Sequence, residues 1–120
     1  MISITKKFEF EAAHYLPDYN GLCKRLHGHS YKLEVTVAGD LGDNGMVMDF
    51  SELKSTVKRH VIDKVDHVNL NDLFANPTAE VMVAWIVSAL KLYFFRTVAQ
   101  LKRVRLYETS SSFVEWEEST

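Results

Sequence analysis

Three histidines and one cysteine near the N-terminus of this 120-residue chain have the residue types and spacing of a metal site. Gly28 alone separates His27 from His29, His14 lies upstream, and Cys23, the only cysteine, precedes His27 by four positions. Catalytic zinc commonly has three protein ligands, bound through imidazole nitrogen at about 2.0–2.1 Å, and a fourth position for water or substrate. Three histidines therefore predict a substrate-accessible metal site if the fold brings them together. Iron, copper and nickel also accept three imidazoles, so the metal itself stays open.

Cys23 offers a second kind of chemistry, which is proton transfer by a thiolate. A lone cysteine is more often a small buried hydrophobic residue than a reactive group. Cys23 lies instead in a polar segment next to Lys24 and Arg25, and neighbouring positive charge favours the thiolate. We predict that Cys23 is a catalytic base beside the metal and is not one of its ligands.

Asp66 and His67 form another titratable pair. Adjacent residues rarely hydrogen-bond to each other, so a solvated loop is the simpler interpretation of this pair. If the segment folds over the histidines, His67 is placed to take a proton from Cys23 while Asp66 orients the imidazole.

Glu108 is a carboxylate on the apolar parity of a predicted strand. A charge on an inward face costs free energy unless it is paired. The residue therefore predicts either a buried salt bridge or a carboxylate that accepts two N–H groups from a guanidine-like ring edge, such as that of a pterin.

Two strands must position the histidines. Apolar and polar residues alternate over residues 2–16 and again over 29–38, which is the period of a half-buried strand. Turn-forming residues fill the segment between them, so an antiparallel hairpin is expected. The first strand ends near His14, the second begins at His29, and His27 has the parity of His29. All three imidazoles then fall at one end and on one face of the hairpin.

Two helices follow the hairpin. Asp49 and Glu52 have the spacing of a capping box, and apolar residues at helical spacing continue to about Asp63. Pro77 predicts a second helix that has the proline in its first turn, where its missing N–H costs nothing. The polar segment 65–71 between the helices predicts a loop.

The remaining pattern completes an α+β fold. Residues 102–109 and 113–117 alternate as two more strands, and Glu108 lies on the inward face of the first of them. The order β-β-α-α-β-β predicts an antiparallel four-stranded sheet with both helices on one face.

The second helix is apolar on more than one side, which is typical of deep burial or of burial by another subunit. In a chain of 120 residues we favour partner subunits. The stripe comprises Met82, Val83, Trp85, Ile86, Val87, Ala89, Leu90, Tyr93, Phe94 and Phe95.

Composition limits the class of protein. The length predicts a single domain over 1–120. A net charge of −2 argues against nucleic acid as a partner. The N-terminal residues lack the apolar run of a signal peptide, and a chain with no run of about 18 apolar residues predicts no membrane span. One free cysteine fits a reducing compartment, so the cytoplasm is the expected location.

Six stretches of the chain together resemble the 6-pyruvoyltetrahydropterin synthase family, and within it the 6-carboxytetrahydropterin synthase branch of the queuosine pathway. They occur in family order and span nearly the whole chain. The stretches are FEFEAAHYLP at 8–17, CKRLHGH at 23–29, GMVMDF at 45–50, DHVNLN at 66–71, NPTAE at 76–80 and YET at 107–109.

The resemblance implies a tunnelling fold (T-fold) that assembles into a closed ring, commonly a hexamer, with active sites between subunits. It also implies Zn²⁺ as the cofactor. By motif, the family's functional residues map onto the zinc ligands His14, His27 and His29, the catalytic residues Cys23, Asp66 and His67, and the pterin contacts Glu108 and Thr78.

The three residues between Cys23 and His27 resemble the 6-carboxy branch, whereas animal 6-pyruvoyl enzymes usually have a longer spacing. The implied reaction is conversion of 7,8-dihydroneopterin triphosphate to 6-carboxy-5,6,7,8-tetrahydropterin with release of acetaldehyde and triphosphate. Lys24 and Arg25 are candidates for binding the triphosphate. The alternatives are 6-pyruvoyltetrahydropterin formation, an aldolase-like dihydropterin cleavage, and a non-catalytic zinc- or pterin-binding protein.

Overall fold

The computed structural model describes residues 1–95 and 97–119, which form a five-stranded sheet packed against two helices. In space the strands are ordered β3-β1-β2-β4-β5. Their bounds are β1 Ile2–His14, β2 His27–Gly39, β3 Val68–Asn69, β4 Gln100–Thr109 and β5 Ser112–Glu117. The α+β class predicted from the sequence is confirmed.

The β1–β2 hairpin is the longest pairing in the sheet. It runs without interruption from Ile2 opposite Gly39 to His14 opposite His27. Alternation explains this register, because one face of each strand carries apolar side chains and a slip by one residue would expose them. Phe10 and Tyr31 pair on the inner face, where their rings stack with centroids 4.8 Å apart.

The prediction of four antiparallel strands was incomplete. Within the segment 65–71, which was predicted to be a loop, the short strand β3 pairs with β1 in parallel, with Val68 opposite Ala12 and Asn69 opposite Ala13. Two residues are too few for an alternating pattern, so periodicity gave no signal for this strand. The sheet is therefore mixed.

The first helix, α1, spans Phe50–Val57 and continues through a π-helical turn at Lys58–Ile62 and a last turn at Asp63–Val65. Asp49 caps it as predicted, because its Oδ1 accepts the backbone N–H of Ser51 at 2.7 Å.

The second helix, α2, spans Ala79–Phe94. Thr78 is its N-cap, with Oγ1 accepting the N–H of Val81 at 3.1 Å. Pro77 therefore precedes the cap, and its predicted place in the first turn was wrong. Threonine is a strong N-cap residue. The helix therefore begins after Thr78, two positions later than a helix with Pro77 as its first residue would begin.

Both helices pack on the same sheet face and share one core. Fully buried side chains from the sheet and from both helices meet there: Tyr31, Leu33, Val35, Leu53, Val57, Met82, Ile86, Leu90, Val104 and Leu106. Most of the wide apolar stripe of the second helix is thus covered within one subunit, while Tyr93 and Phe95 stay exposed.

Two sheet edges remain open in the part of the chain that the structure describes. β1 has a partner on its outer side only at Ala12 and Ala13, and β5 pairs on one side with β4. Unpaired strand edges present rows of backbone donors and acceptors that another strand can pair with. Among the described residues, no helix is long and apolar enough to cross a membrane.

Candidate active site

The hairpin brings the three histidines together at its closed end, where residues 15–26 connect the two strands. His14 and His27 are opposite each other in the β1–β2 register, and His29 follows on the same face. The ring centroids are 4.7 Å apart for His14 and His27, 5.1 Å for His14 and His29, and 4.8 Å for His27 and His29. One candidate ligand nitrogen from each ring lies within 4.8 Å of the other two. His14 is the most deeply placed, with only 1% of its surface exposed.

Backbone carbonyl groups fix the orientation of two of these rings. His14 Nδ1 lies 2.8 Å from the carbonyl oxygen of Pro77, and His27 Nδ1 lies 2.7 Å from that of Arg25. A carbonyl only accepts, so each Nδ1 carries the hydrogen and donates it. Each Nε2 then presents a lone pair, and the two Nε2 atoms are 3.1 Å apart. Two facing lone pairs repel unless a cation lies between them, so these residues fit a metal.

Neither carbonyl contact was predicted from the sequence. A backbone carbonyl has no residue-type signal, and the position of Pro77 beside β1 depends on where α2 begins. Tyr31 is another residue that was not predicted to be functional. Its hydroxyl lies 3.4 Å from His14 Nδ1, and burial, together with Glu108, raises its pKa. The sequence did offer one indication: Tyr31 is two residues after His29 in the same strand, so both side chains lie on the same face.

Glu108 faces the same cluster. Its Oε1 lies 3.4 Å from His14 Nε2 and 3.7 Å from His29 Nε2, with 32% of the side chain exposed. Burial lowers the pKa of His29, while Glu108 raises it and the other two histidines lower it further. Both interpretations made from the sequence, a salt bridge and a ligand-binding carboxylate, stay compatible with this position.

Cys23 lies in a short 3₁₀ turn, Leu22–Lys24, which packs beside the hairpin end. The carbonyl oxygen of Cys23 accepts the N–H of Leu16 at 2.8 Å, and the cysteine side chain is partly buried. The group of close donor atoms found among the described residues consists of the three histidines.

Asp66 and His67 lie at the outer side of β1. Asp66 Oδ1 accepts the N–H of Glu11 at 2.9 Å, and His67 Nδ1 lies 2.9 Å from the same oxygen. Adjacent residues thus do contact each other here, because His67 has a φ of 59° that turns its side chain back toward Asp66. A positive φ is uncommon for a residue other than glycine, and such residues cluster at functional sites.

A surface concavity connects this pair with the metal-site strands. Residues of β1, β2 and β3 line it, among them His29, Ser30 and His67. The imidazole of His67 is 76% exposed, so it is available to a substrate or to another subunit. Hydrogen bonds join this pair to Glu11, whereas the backbone of Cys23 is joined to Leu16. Among the described residues of one subunit, no hydrogen bond joins Cys23 to His67.

Thr78 follows Pro77, whose carbonyl oxygen contacts His14, and it is the N-cap of α2. The structure therefore brings the three histidines and Glu108 together and leaves Cys23, the Asp66–His67 pair and Thr78 on neighbouring segments.

The carboxylate of Asp66 should make stability depend on pH. The N–H of Glu11, followed by contacts with His67, lowers the pKa of Asp66 below its ordinary value of 3.8. A lowered pKa stabilises the fold above the unfolded-state pKa, and this contribution is lost as pH falls through the folded-state pKa. In metal-free protein we expect Asp66→Asn to reduce the free energy of unfolding at pH 6, and the difference from wild type to shrink below about pH 4. Denaturant titrations between pH 3 and 7 measure the difference in unfolding free energy between the two proteins. A difference that is constant with pH would contradict a lowered pKa of Asp66 in the folded protein.

The α+β fold and the three converging histidines define a protein with a candidate metal site at the end of its longest hairpin. The chain belongs to the 6-pyruvoyl tetrahydropterin synthase family, whose model matches residues 3–119. The family predicted from the motifs is thereby confirmed.

Individual relatives agree with this membership. The chain is 43% identical over 116 residues to a 6-carboxy-5,6,7,8-tetrahydropterin synthase of Synechocystis, covering 91% of this chain and 88% of the relative. It is 38% identical over 114 residues to a dihydroneopterin monophosphate aldolase of Pyrococcus furiosus, covering 95% and 96%. The solved 6-pyruvoyl tetrahydropterin synthase of Caenorhabditis elegans superposes with a TM-score of 0.85 at 26% identity, covering 98% and 96%. These similarities confirm the tunnelling fold and an enzyme of the pterin side-chain lyase class.

Proposed function

We propose that this protein is a zinc-dependent lyase that converts 7,8-dihydroneopterin triphosphate and one water molecule to 6-carboxy-5,6,7,8-tetrahydropterin, acetaldehyde and triphosphate, in the queuosine precursor pathway. The observation that carries the proposal is the pair of Nε2 atoms of His14 and His27, which face each other at 3.1 Å. The name of the Synechocystis relative supports the choice of product.

The three histidines are the proposed zinc ligands. Pro77 and Arg25 hold two of the rings so that each offers Nε2. When bound, the metal supplies Lewis acidity to oxygens of the substrate side chain. Since the Nδ1 hydrogens of His14 and His27 are already donated to carbonyl groups, these two rings keep their Nε2 atoms directed at the proposed site on loading.

Glu108 and Thr78 are the proposed pterin contacts. The carboxylate of Glu108 lies at the rim of the cluster and is partly exposed, so it can accept two N–H groups from the ring edge. A pterin ring bound by Glu108 would direct its side chain, the part that reacts, toward the histidines. Thr78 adds a polar contact from the N-terminal end of α2.

Cys23, Asp66 and His67 are the proposed proton-transfer residues. His67 Nδ1 donates to Asp66, which leaves Nε2 as the acceptor of the ring. Cys23 as thiolate removes a proton from the substrate side chain, and His67 exchanges that proton with the thiol or with a side-chain oxygen. Because no hydrogen bond joins Cys23 to His67 among the described residues of one subunit, we place His67 of one subunit beside Cys23 of its neighbour.

This arrangement requires a homo-oligomer, and a hexamer is favoured. The open edges of β1 and β5 support the proposal, since pairing them between subunits would close a ring. Sedimentation equilibrium should give a mass of about six times 13.8 kDa. A monomer at micromolar concentration would contradict shared active sites. The cytoplasm remains the proposed location.

Product analysis by mass spectrometry tests the reaction. Zinc-loaded protein incubated with 7,8-dihydroneopterin triphosphate should yield 6-carboxytetrahydropterin and acetaldehyde in equal amounts. Formation of 6-pyruvoyltetrahydropterin would instead identify a 6-pyruvoyltetrahydropterin synthase. The similarity to the Pyrococcus aldolase supports another alternative, an aldolase-like reaction in which a dihydropterin side chain is cleaved without triphosphate release. If no pterin is turned over, the protein is a zinc- or pterin-binding protein.

A further inference from the structure

The position of Glu108 suits two partners at once, the pterin ring and the metal. We propose that in the substrate-free protein Glu108 is the fourth ligand of the metal, and that binding of the pterin ring withdraws it and opens the metal to the substrate side chain. The inference rests on the proposed three-histidine zinc site and on the proposed pterin contact of Glu108.

Distances between donor atoms carry the first step. Zinc bonds of about 2.0–2.2 Å in a tetrahedron place neighbouring donors about 3.3–3.6 Å apart. The observed distances are 3.1 Å between the Nε2 atoms of His14 and His27, 3.4 Å from Glu108 Oε1 to His14 Nε2, and 3.7 Å from the same oxygen to His29 Nε2. A single carboxylate oxygen therefore lies at about one tetrahedral edge from His14 and His29. Glu108 is outside the group of mutually close donor atoms that the three histidines form, so the proposal requires its carboxylate to move toward His27 when the metal binds.

A hydrogen bond from the neutral His14 ring does not account for this position. His14 Nδ1 donates its hydrogen to the carbonyl oxygen of Pro77, so the Nε2 of the neutral ring has no hydrogen to offer Glu108. An anionic oxygen 3.4 Å from a lone pair is unfavourable unless a cation lies between them. The same cation explains the close approach of His27 and the approach of Glu108.

The strand that carries Glu108 allows it to move. Pairing of β4 with β2 ends at Tyr107 opposite Lys32, and the register between β4 and β5 is irregular between Tyr107 and Thr109. Glu108 thus lies at an irregularity near the end of the strand, a place where side chains are re-aimed. It is also 32% exposed, whereas His14 is enclosed. Glu108 is the ligand with room to leave.

The charge of the proposed metal explains why Glu108 would bind it before substrate arrives and leave it for the pterin ring afterwards. Three neutral imidazoles leave the full charge of a divalent cation in a partly buried site, and one carboxylate halves it. A pterin ring offers the carboxylate two N–H donors, while the substrate side chain offers oxygens to the metal. The enzyme thereby keeps its reactive position closed until the ring has been bound.

Metal binding to the Glu108→Gln variant tests the proposal without pterin. We expect its affinity for Zn²⁺, measured by competition with a chromophoric chelator, to be at least about tenfold weaker than that of the wild type, with one site per chain retained. Glu115→Gln is the matched control, since Glu115 binds Arg105 at 2.7 Å on the other face of the sheet; its affinity should be unchanged. Circular dichroism of each variant checks the fold.

Cobalt absorption tests the exchange itself. Adding unsubstituted pterin, which has the ring edge but no side chain, to Co²⁺-loaded wild type should change the visible bands toward those of Co²⁺-loaded Glu108→Gln. The variant's own bands should change little. Equal Zn²⁺ affinities and identical cobalt bands in wild type and Glu108→Gln would overturn the inference while leaving the three-histidine site intact. A wild type that binds neither metal would overturn the proposed function as well.

Discussion

Replacing His14 with alanine should remove both the bound metal and the turnover. His14 is the buried member of the cluster, its Nε2 faces that of His27 at 3.1 Å, and its Nδ1 is fixed by Pro77. Two remaining imidazoles hold zinc far more weakly than three. We expect zinc content, measured by inductively coupled plasma mass spectrometry, to fall from about one per chain to below about 0.1. Loss of Lewis-acid stabilisation worth several kcal/mol should lower kcat/KM by about 10³-fold or more.

The control for this variant is His60→Ala. His60 packs against Tyr93 on the helices, with ring centroids 5.3 Å apart, and takes no part in the cluster. Its zinc content and turnover should match those of the wild type. Because the carbonyl oxygen of Pro77 loses its donor in His14→Ala, thermal unfolding of the metal-free proteins must be compared as well. Full zinc content in a folded His14→Ala protein would contradict the metal site.

Replacing Cys23 with alanine should abolish catalysis and leave the metal in place. General base catalysis contributes about 10²–10⁴-fold, so kcat should fall by that factor. Zinc content should stay at one per chain, because the close donor atoms come from the three histidines. This combination separates an enzyme from a binding protein, for which Cys23 would be dispensable. Wild-type turnover in Cys23→Ala would exclude the cysteine as the base.

Mixing two inactive proteins tests whether His67 serves a neighbouring subunit. Cys23→Ala and His67→Ala, unfolded together and reassembled, form mixed oligomers. If each site takes Cys23 from one subunit and His67 from the next, about a quarter of the sites contain both residues and activity returns. If both residues come from one subunit, every site lacks one of them. No recovery in verified mixed oligomers would therefore contradict the shared site.

Alternation along β1 and β2 was sufficient to predict the convergence of the histidines. The side-chain period of a strand is two, so the parity of His14, His27 and His29 fixes the face they share. The inward position of Glu108 followed from the same rule. These features depend on many residues in a regular pattern, and for that reason they are readable from the sequence.

Features that depend on one backbone conformation were not predictable. The contact between Asp66 and His67 requires a positive φ at His67, for which histidine gives little signal. β3 is two residues long. The carbonyl groups that orient the rings belong to Arg25 and Pro77, whose side chains have no part in the contact. The sequence also could not show whether the apolar stripe of α2 packs on its own sheet or on another subunit.

The pairing of His14 with His27 would make binding of the proposed metal depend on strand register. A slip of one residue between β1 and β2 would turn one histidine to the opposite face, so only the correctly paired hairpin binds the ion. Binding to the native form alone raises its stability by mass action, and misaligned hairpins gain nothing. A change in the length of the 15–26 connection would leave this register intact while moving Cys23 and Arg25, whereas a single residue inserted within either strand near the cluster would invert the site.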